Sequence, residues 1–145
     1  MIRTAAFEYE PMESEAEKAS NGYLMSVIAI MAGLPIPIIN LIASLLFYFG
    51  NRRSTWFVRW HCTQALLAQA ALLPLNSVGF WWTISILTDE AVFLSNQYVA
   101  YIITLLLFNM TEFILTIISA IKVRKGQHVK WWLYGPLTDL ICRRR

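Results

Sequence analysis

Asn109, Glu112, Thr116 and Ser119 recur at three- and four-residue spacing, which on an α-helix places an amide, a carboxyl and two hydroxyls on one face. The stretch around them is apolar, so the acid stands in an almost uncharged setting. Two kinds of chemistry suit such a group. With hydrogen-bonding neighbours it can tie helices together, or it can line a polar groove for a proton, a substrate or a peptide segment. Two other apolar stretches carry Asn40 and Gln69. Asn40 precedes Gly50 by ten residues, Gln69 follows His61 by eight, and Glu112 precedes Lys122 by ten. At a rise of ~1.5 Å per residue all three lie about 12–15 Å inside their stretch. The candidate cluster is therefore Asn40, Gln69, Asn109, Glu112 and Thr116, with Asn40 and Gln69 as alternative partners of the acid.

Other reactive residue types do not assemble into a site. His61 stands beside Arg59 and Trp60 and reads as an interfacial hydrogen-bonder, while His128 sits in a basic tail and reads as solvated. Cys62 and Cys142 are 80 residues apart with no C-x-x-C pattern. The chain has no Ser-His-Asp order, H-E-x-x-H, Walker loop or G-x-G-x-x-G. The expectation is a protein without catalytic residues, metal ligands or cofactor.

The elements that must position these side chains are membrane helices. Residues 19–51, 60–88 and 91–111 contain no Asp, Glu, Lys or Arg, and about 20 helical residues cross a hydrocarbon core of ~30 Å. The sequence predicts an all-α integral membrane protein with transmembrane helices at 22–49, 61–87 and 97–121 and short interfacial segments. Residues 1–21 are expected to be a flexible acidic tail, with Ser14-x-x-Glu17 resembling a capping box, and 122–145 a basic, aromatic tail. The first apolar run follows five glutamates rather than a basic segment and is not expected to be cleaved. Pro35 and Pro37, beside Gly33, either kink the first span or turn it back as a re-entrant hairpin. The first loop carries three basic residues and the C-terminal tail seven, against two in the N-terminal tail and none around Asp89 and Glu90. The positive-inside rule then places the first loop and C-terminus in the cytoplasm. A kinked span puts the N-terminus outside; a hairpin returns it to the cytoplasm.

Arg52, Arg53, Trp56 and Arg59, with Ser54 as a candidate N-cap, read as an interfacial segment, and Trp131 and Trp132 as an aromatic patch in the tail. Together they suit anionic lipid headgroups or a protein partner; nucleic acid is not implied. Lys122, Lys125 and Gly126 form a helix stop, with cations at the negative pole.

Three stretches, Pro35-x-Pro37-x-x-Asn40, Arg59-x-His61-x-x-Gln64-Ala65-Leu66-x-x-Gln69 and Lys122-x-x-Lys125-Gly126, resemble the small bacterial membrane proteins of the Tic-twenty-like family, over roughly residues 22–141. The resemblance implies a non-enzymatic, multi-pass protein of the inner (plasma) membrane that works with other membrane proteins or as a homo-oligomer, as an accessory or channel-like subunit in polypeptide translocation or assembly. Two alternatives remain open: a small proton-coupled transporter using Glu112, and a purely structural subunit of a larger membrane complex.

Overall fold

The computed structural model describes residues 2–7, 9–31, 37–88 and 94–142, with backbone alone at 28–31 and 37. Its elements are β1 (Ile2–Ala5), α1 (Glu13–Met31), α2 (Pro37–Asn51), α3 (Trp56–Thr88), α4 (Asn96–Arg124), β2 (His128–Trp131) and α5 (Tyr134–Ile141). The chain is mainly helical, as expected, but it also carries a two-stranded antiparallel ribbon. Ile2 pairs with Trp131, Arg3 with Lys130, Thr4 with Val129 and Ala5 with His128.

Local chemistry sets the helix ends. The Met12 N–H donates to the Glu15 carboxylate at 2.9 Å, which closes the start of α1 two residues earlier than Ser14-x-x-Glu17 suggests. Pro37 opens α2, where its missing N–H costs no helical bond. The Asn51 side chain closes that helix on the Phe47 carbonyl. α3 starts at Trp56, so Thr55 rather than Ser54 stands at its cap position. Ser95 caps α4 by accepting from the Tyr98 N–H. At the other end Lys122 and Arg124 occupy the last turn and Gly126 takes φ 75°, a left-handed conformation that ends the helix.

α1 packs on α2, α3 and α4, and α3 packs on α1, α2 and α4, so α2 and α4 lie on opposite flanks of a central pair. The register is antiparallel between α1 and α4: Arg124 meets Glu17, and the Ala120 carbonyl accepts from the Ser20 hydroxyl. Gly22 lies against Cys62 of α3 and Phe47 of α2 at the same level. The first apolar run is thus divided between two helices, and the turn expected at Gly33, Pro35 and Pro37 falls outside the described residues. Two helices, α3 and α4, are long and apolar enough to cross a membrane, and α2 is a shorter apolar helix. The ribbon joins the N- and C-terminal segments at one end of the bundle, called the near end below. That pairing corrects the reading with the termini on opposite sides, because strands that exchange backbone hydrogen bonds cannot be separated by a bilayer.

Candidate functional site in the polar cap

The densest polar constellation lies at the near end, centred on Gln64. Its Nε2 donates to the Tyr23 Oη at 2.7 Å and to the Val129 carbonyl at 3.1 Å, and its Oε1 accepts from the Trp131 N–H at 3.0 Å. Val129 C=O and Trp131 N–H belong to one edge of β2, so the side-chain amide acts as a rung on the strand edge that β1 leaves free. The amide orientation is fixed by the backbone, and this sets the direction of every further bond. Tyr23 Oη accepts from Gln64 and must give its own proton to His61 Nδ1, 3.0 Å away. The neutral His61 ring then carries its proton on Nε2, which points at His128 Nδ1 at 3.2 Å.

Aromatic walls keep this chain dry. Phe57 stands edge-on to His61 with ring centroids 4.6 Å apart, and Trp60 edge-on to His128 at 4.4 Å. Phe7, from the segment after β1, closes over His128 at 4.9 Å. Burial, reinforced by the Lys130 ammonium and partly opposed by Asp139, holds His128 down to about 4. Around the rim, Trp131 Nε1 donates to Ser119 Oγ at 2.6 Å and Trp60 Nε1 to Asp139 Oδ1 at 2.9 Å. Asp139 also pairs with Lys130 at 2.8 Å.

These positions revise several expectations. His61 is fully buried and His128 only 3% exposed, where the sequence suggested an interfacial and a solvated ring. The ribbon is the cause, since it carries His128 and Phe7 over the end of α3. Trp131, the last residue of β2, is 4% exposed and belongs to the core, while Trp132, in the turn that follows, is 73% exposed. Trp56 is half-buried and donates to the Cys142 carbonyl. Arg52, Arg53 and Lys125 are exposed, and Arg59, Lys122 and Gly126 half-buried.

A second constellation lies deeper. Glu112 Oε1 accepts from Gln69 Nε2 at 2.7 Å and from Thr116 Oγ1 at 2.9 Å. One turn further from the near end, Asn76 and Asn109 exchange side-chain hydrogen bonds of 3.1 and 2.8 Å. Four of the five clustered residues therefore lie on the α3–α4 contact. Asn40 does not join them, because α2 sits on the other flank. Its Oδ1, like Ser44 Oγ one turn on, is buried without a hydrogen-bond partner.

Tyr23 was missed as a site residue. Its signal was the helical face Ala16, Ala19 with Ser20, Tyr23 and Val27, all buried and recurring every three or four residues. Among the described residues, no group of three or more His, Cys, Asp or Glu is placed to hold a metal ion.

Neither a curated protein nor a solved structure matches the chain. The resemblance to the Tic-twenty-like family does not stand: the motifs that carried it lie inside a stretch, residues 19–138, matched by the model of a different family. Within Arg59-x-His61-x-x-Gln64, Gln64 receives the edge of β2 and His61 meets His128. The match takes in α2, α3, α4 and the second strand with most of α1 and α5, and on that extent the chain belongs to the magnetosome magnetite crystal formation protein family.

Proposed function

We propose that this protein is a non-enzymatic membrane subunit that acts in magnetite crystal formation through what it holds in place. The observation that carries this is the closed hydrogen bonding of the polar cap. Gln64, Tyr23 and His61 spend their side-chain donors and acceptors on one another, on β2 and on His128 Nδ1. Such a network specifies a fold and a docking geometry, and leaves no free nucleophile–base pair in it. The deeper carboxyl is likewise engaged by Gln69 and Thr116, which favours helix pairing over transport. Polypeptide translocation, which rested on the discarded resemblance, finds no support.

Orientation follows from charge. All nine Lys and Arg among the described residues lie in segments at the near end, while the sequence between α3 and α4 has Asp89 and Glu90 and no basic residue. The near end is accordingly cytoplasmic, with Arg52, Arg53 and Lys125 offered to anionic headgroups or to partner proteins. Deleting the gene in a magnetite-forming cell and restoring the chain tests the role. Altered crystal size or number that the parent chain rescues is the expected result; crystals unchanged by deletion would refute it. Crosslinking in native membranes should recover membrane partners or a second copy, and a chain that always runs alone would count against a subunit role.

A further inference from the structure

The bundle is unequal along its length. Glu17 meets Arg124 and Ser20 meets Ala120. Continued at ~1.5 Å per residue in both helices, that register brings Met31, the end of α1, to about the level of Asn109. Asn109 lies near the middle of α4 (Asn96–Arg124). α2 likewise rises only ten residues from Pro37 to Phe47, which stands level with Gly22, or about 15 Å. The half of the span next to the near end thus holds four helices, and the described part of the other half holds α3 and α4 alone. There Leu75, Val78, Trp81, Val99, Ile103 and Leu106 are exposed. At ~10 Å across, two additional helices occupy roughly 160 Å² more membrane area in one leaflet than in the other.

α5 adds to the same side. Its first turn, at Gly135, lies against Gln64, and its end, at Cys142, donates to Thr63 Oγ1 at 3.3 Å. With Trp56 donating to the Cys142 carbonyl and Trp60 to Asp139, these contacts hold α5 against residues 56–64, the opening turns of α3 at the near end. The depth is fixed by the far aromatic belt, where Trp82 packs against Tyr98 and Tyr101. Twenty residues from Trp82, ~30 Å along α3, is Cys62, within the stretch that α5 contacts. Its protein side is small and polar, with Gly135 and Thr138 buried, while Leu133, Leu137, Leu140 and Ile141 are exposed at helical spacing beside Trp132. This apolar side faces away from the protein at the hydrocarbon boundary, next to basic residues, which is the setting of an interfacial helix.

We propose that the molecule is a leaflet-asymmetric wedge that recognises lipid surfaces convex on the side of its termini, with α5 and Trp132 seated in that leaflet. The inference rests on the membrane reading above. To test it, the full chain is reconstituted into phosphatidylethanolamine–phosphatidylglycerol vesicles spanning a range of diameters, and protein per lipid area is counted vesicle by vesicle. Density should rise severalfold towards the smallest vesicles, with the termini outside and open to added protease. Leu137→Ser with Leu140→Ser should flatten the rise without loss of fold, because both side chains point outward. A Leu140→Cys variant carrying a polarity-sensitive dye should report an apolar setting, against the parent as background. Density independent of diameter, or a dye in water, would overturn the proposal. Failure to enter vesicles of any size would instead defeat the membrane reading itself.

Discussion

The two halves of the bundle solve the same problem, how to keep helices together, with different materials. Near the termini, four helices, a ribbon and the short α5 bury a chain of polar groups with fixed bond directions. Beyond Asn109, among the described residues, two helices face their surroundings with apolar side chains and meet through pairs such as Asn76 with Asn109 and Thr83 with Tyr98. In the first region a lost hydrogen bond strands partners that nothing can replace. In the second, lipid covers what the helices leave open, and single interhelical bonds contribute little.

The comparison breaks most decisively at Gln64. Gln64→Leu keeps the volume but leaves the Val129 carbonyl and the Trp131 N–H buried and unpaired, and the Tyr23–His61 bond without its anchor. Each stranded group costs ~1–3 kcal/mol, so a loss of about 3–5 kcal/mol is expected. Asn109→Leu in the other half should cost ~1 kcal/mol. Thermal unfolding of both variants in one detergent measures the contrast. Equal losses would show that the two halves are held alike.

Acid should act on the same region. Folded His128 takes up its proton only near pH 4, against 6.5 for an ordinary histidine, so the unfolded chain binds the proton first as pH falls. The stability this group contributes is complete above pH 6.5 and drains away between there and about 4, by up to ~3 kcal/mol. The physical event is a collision of protons, since His61 Nε2–H already points at the nitrogen that would be charged. A midpoint that stays level across that window, or a His128→Gln variant with the parent's slope, would refute this.

What could be read in the chain beforehand divides along the same line. The α3–α4 hairpin was visible because its signals are local: uncharged runs, a polar stripe at 3–4 spacing that pointed to Glu112, and a depth along the helix that pointed to Gln69. The cap was not. Its strands are four residues each and come from the two extremes of the chain, and Ile2–Ala5 has no apolar alternation to mark it. His128 looked solvated because its sequence neighbours are basic; burial came from Phe7 and Trp60, 121 and 68 positions away in the sequence. Asn40 failed for another reason. Depth along a helix is legible from a sequence, but the flank on which the helix packs is not, and α2 packs away from α4.

Glycines give a finer test. Gly79 in the open half and Gly22 in the dense half both face a neighbouring helix. A Cβ on Gly79 would meet Leu105 Cδ2 at 2.6 Å, and one on Gly22 would meet Cys62 Sγ at 3.0 Å and Cys62 Cα at 3.6 Å. By distance alone Gly79→Ala is the worse change. Yet Leu105 offers the tip of a flexible side chain with room around it, while Cys62 sits in the core with its backbone behind. Gly22→Ala should therefore cost ~1–2 kcal/mol, and Gly79→Ala under ~1 kcal/mol. The reverse order in unfolding measurements would mean that the open half is packed as rigidly as the cap.

The smallest expected effect bears on the residue that looked most chemical. Glu112→Gln keeps an oxygen where Gln69 and Thr116 donate, so helix pairing survives and stability should change by less than ~1 kcal/mol. Glu112→Leu removes the acceptor and should cost more, leaving the Gln69 amide without its partner. If the acid serves to join α3 and α4, the glutamine variant restores crystals in deleted cells as well as the parent does. A group that carries a proton cannot be replaced by an amide, whatever its geometry. Normal stability combined with lost rescue would therefore transfer Glu112 from the framework of the bundle to its chemistry.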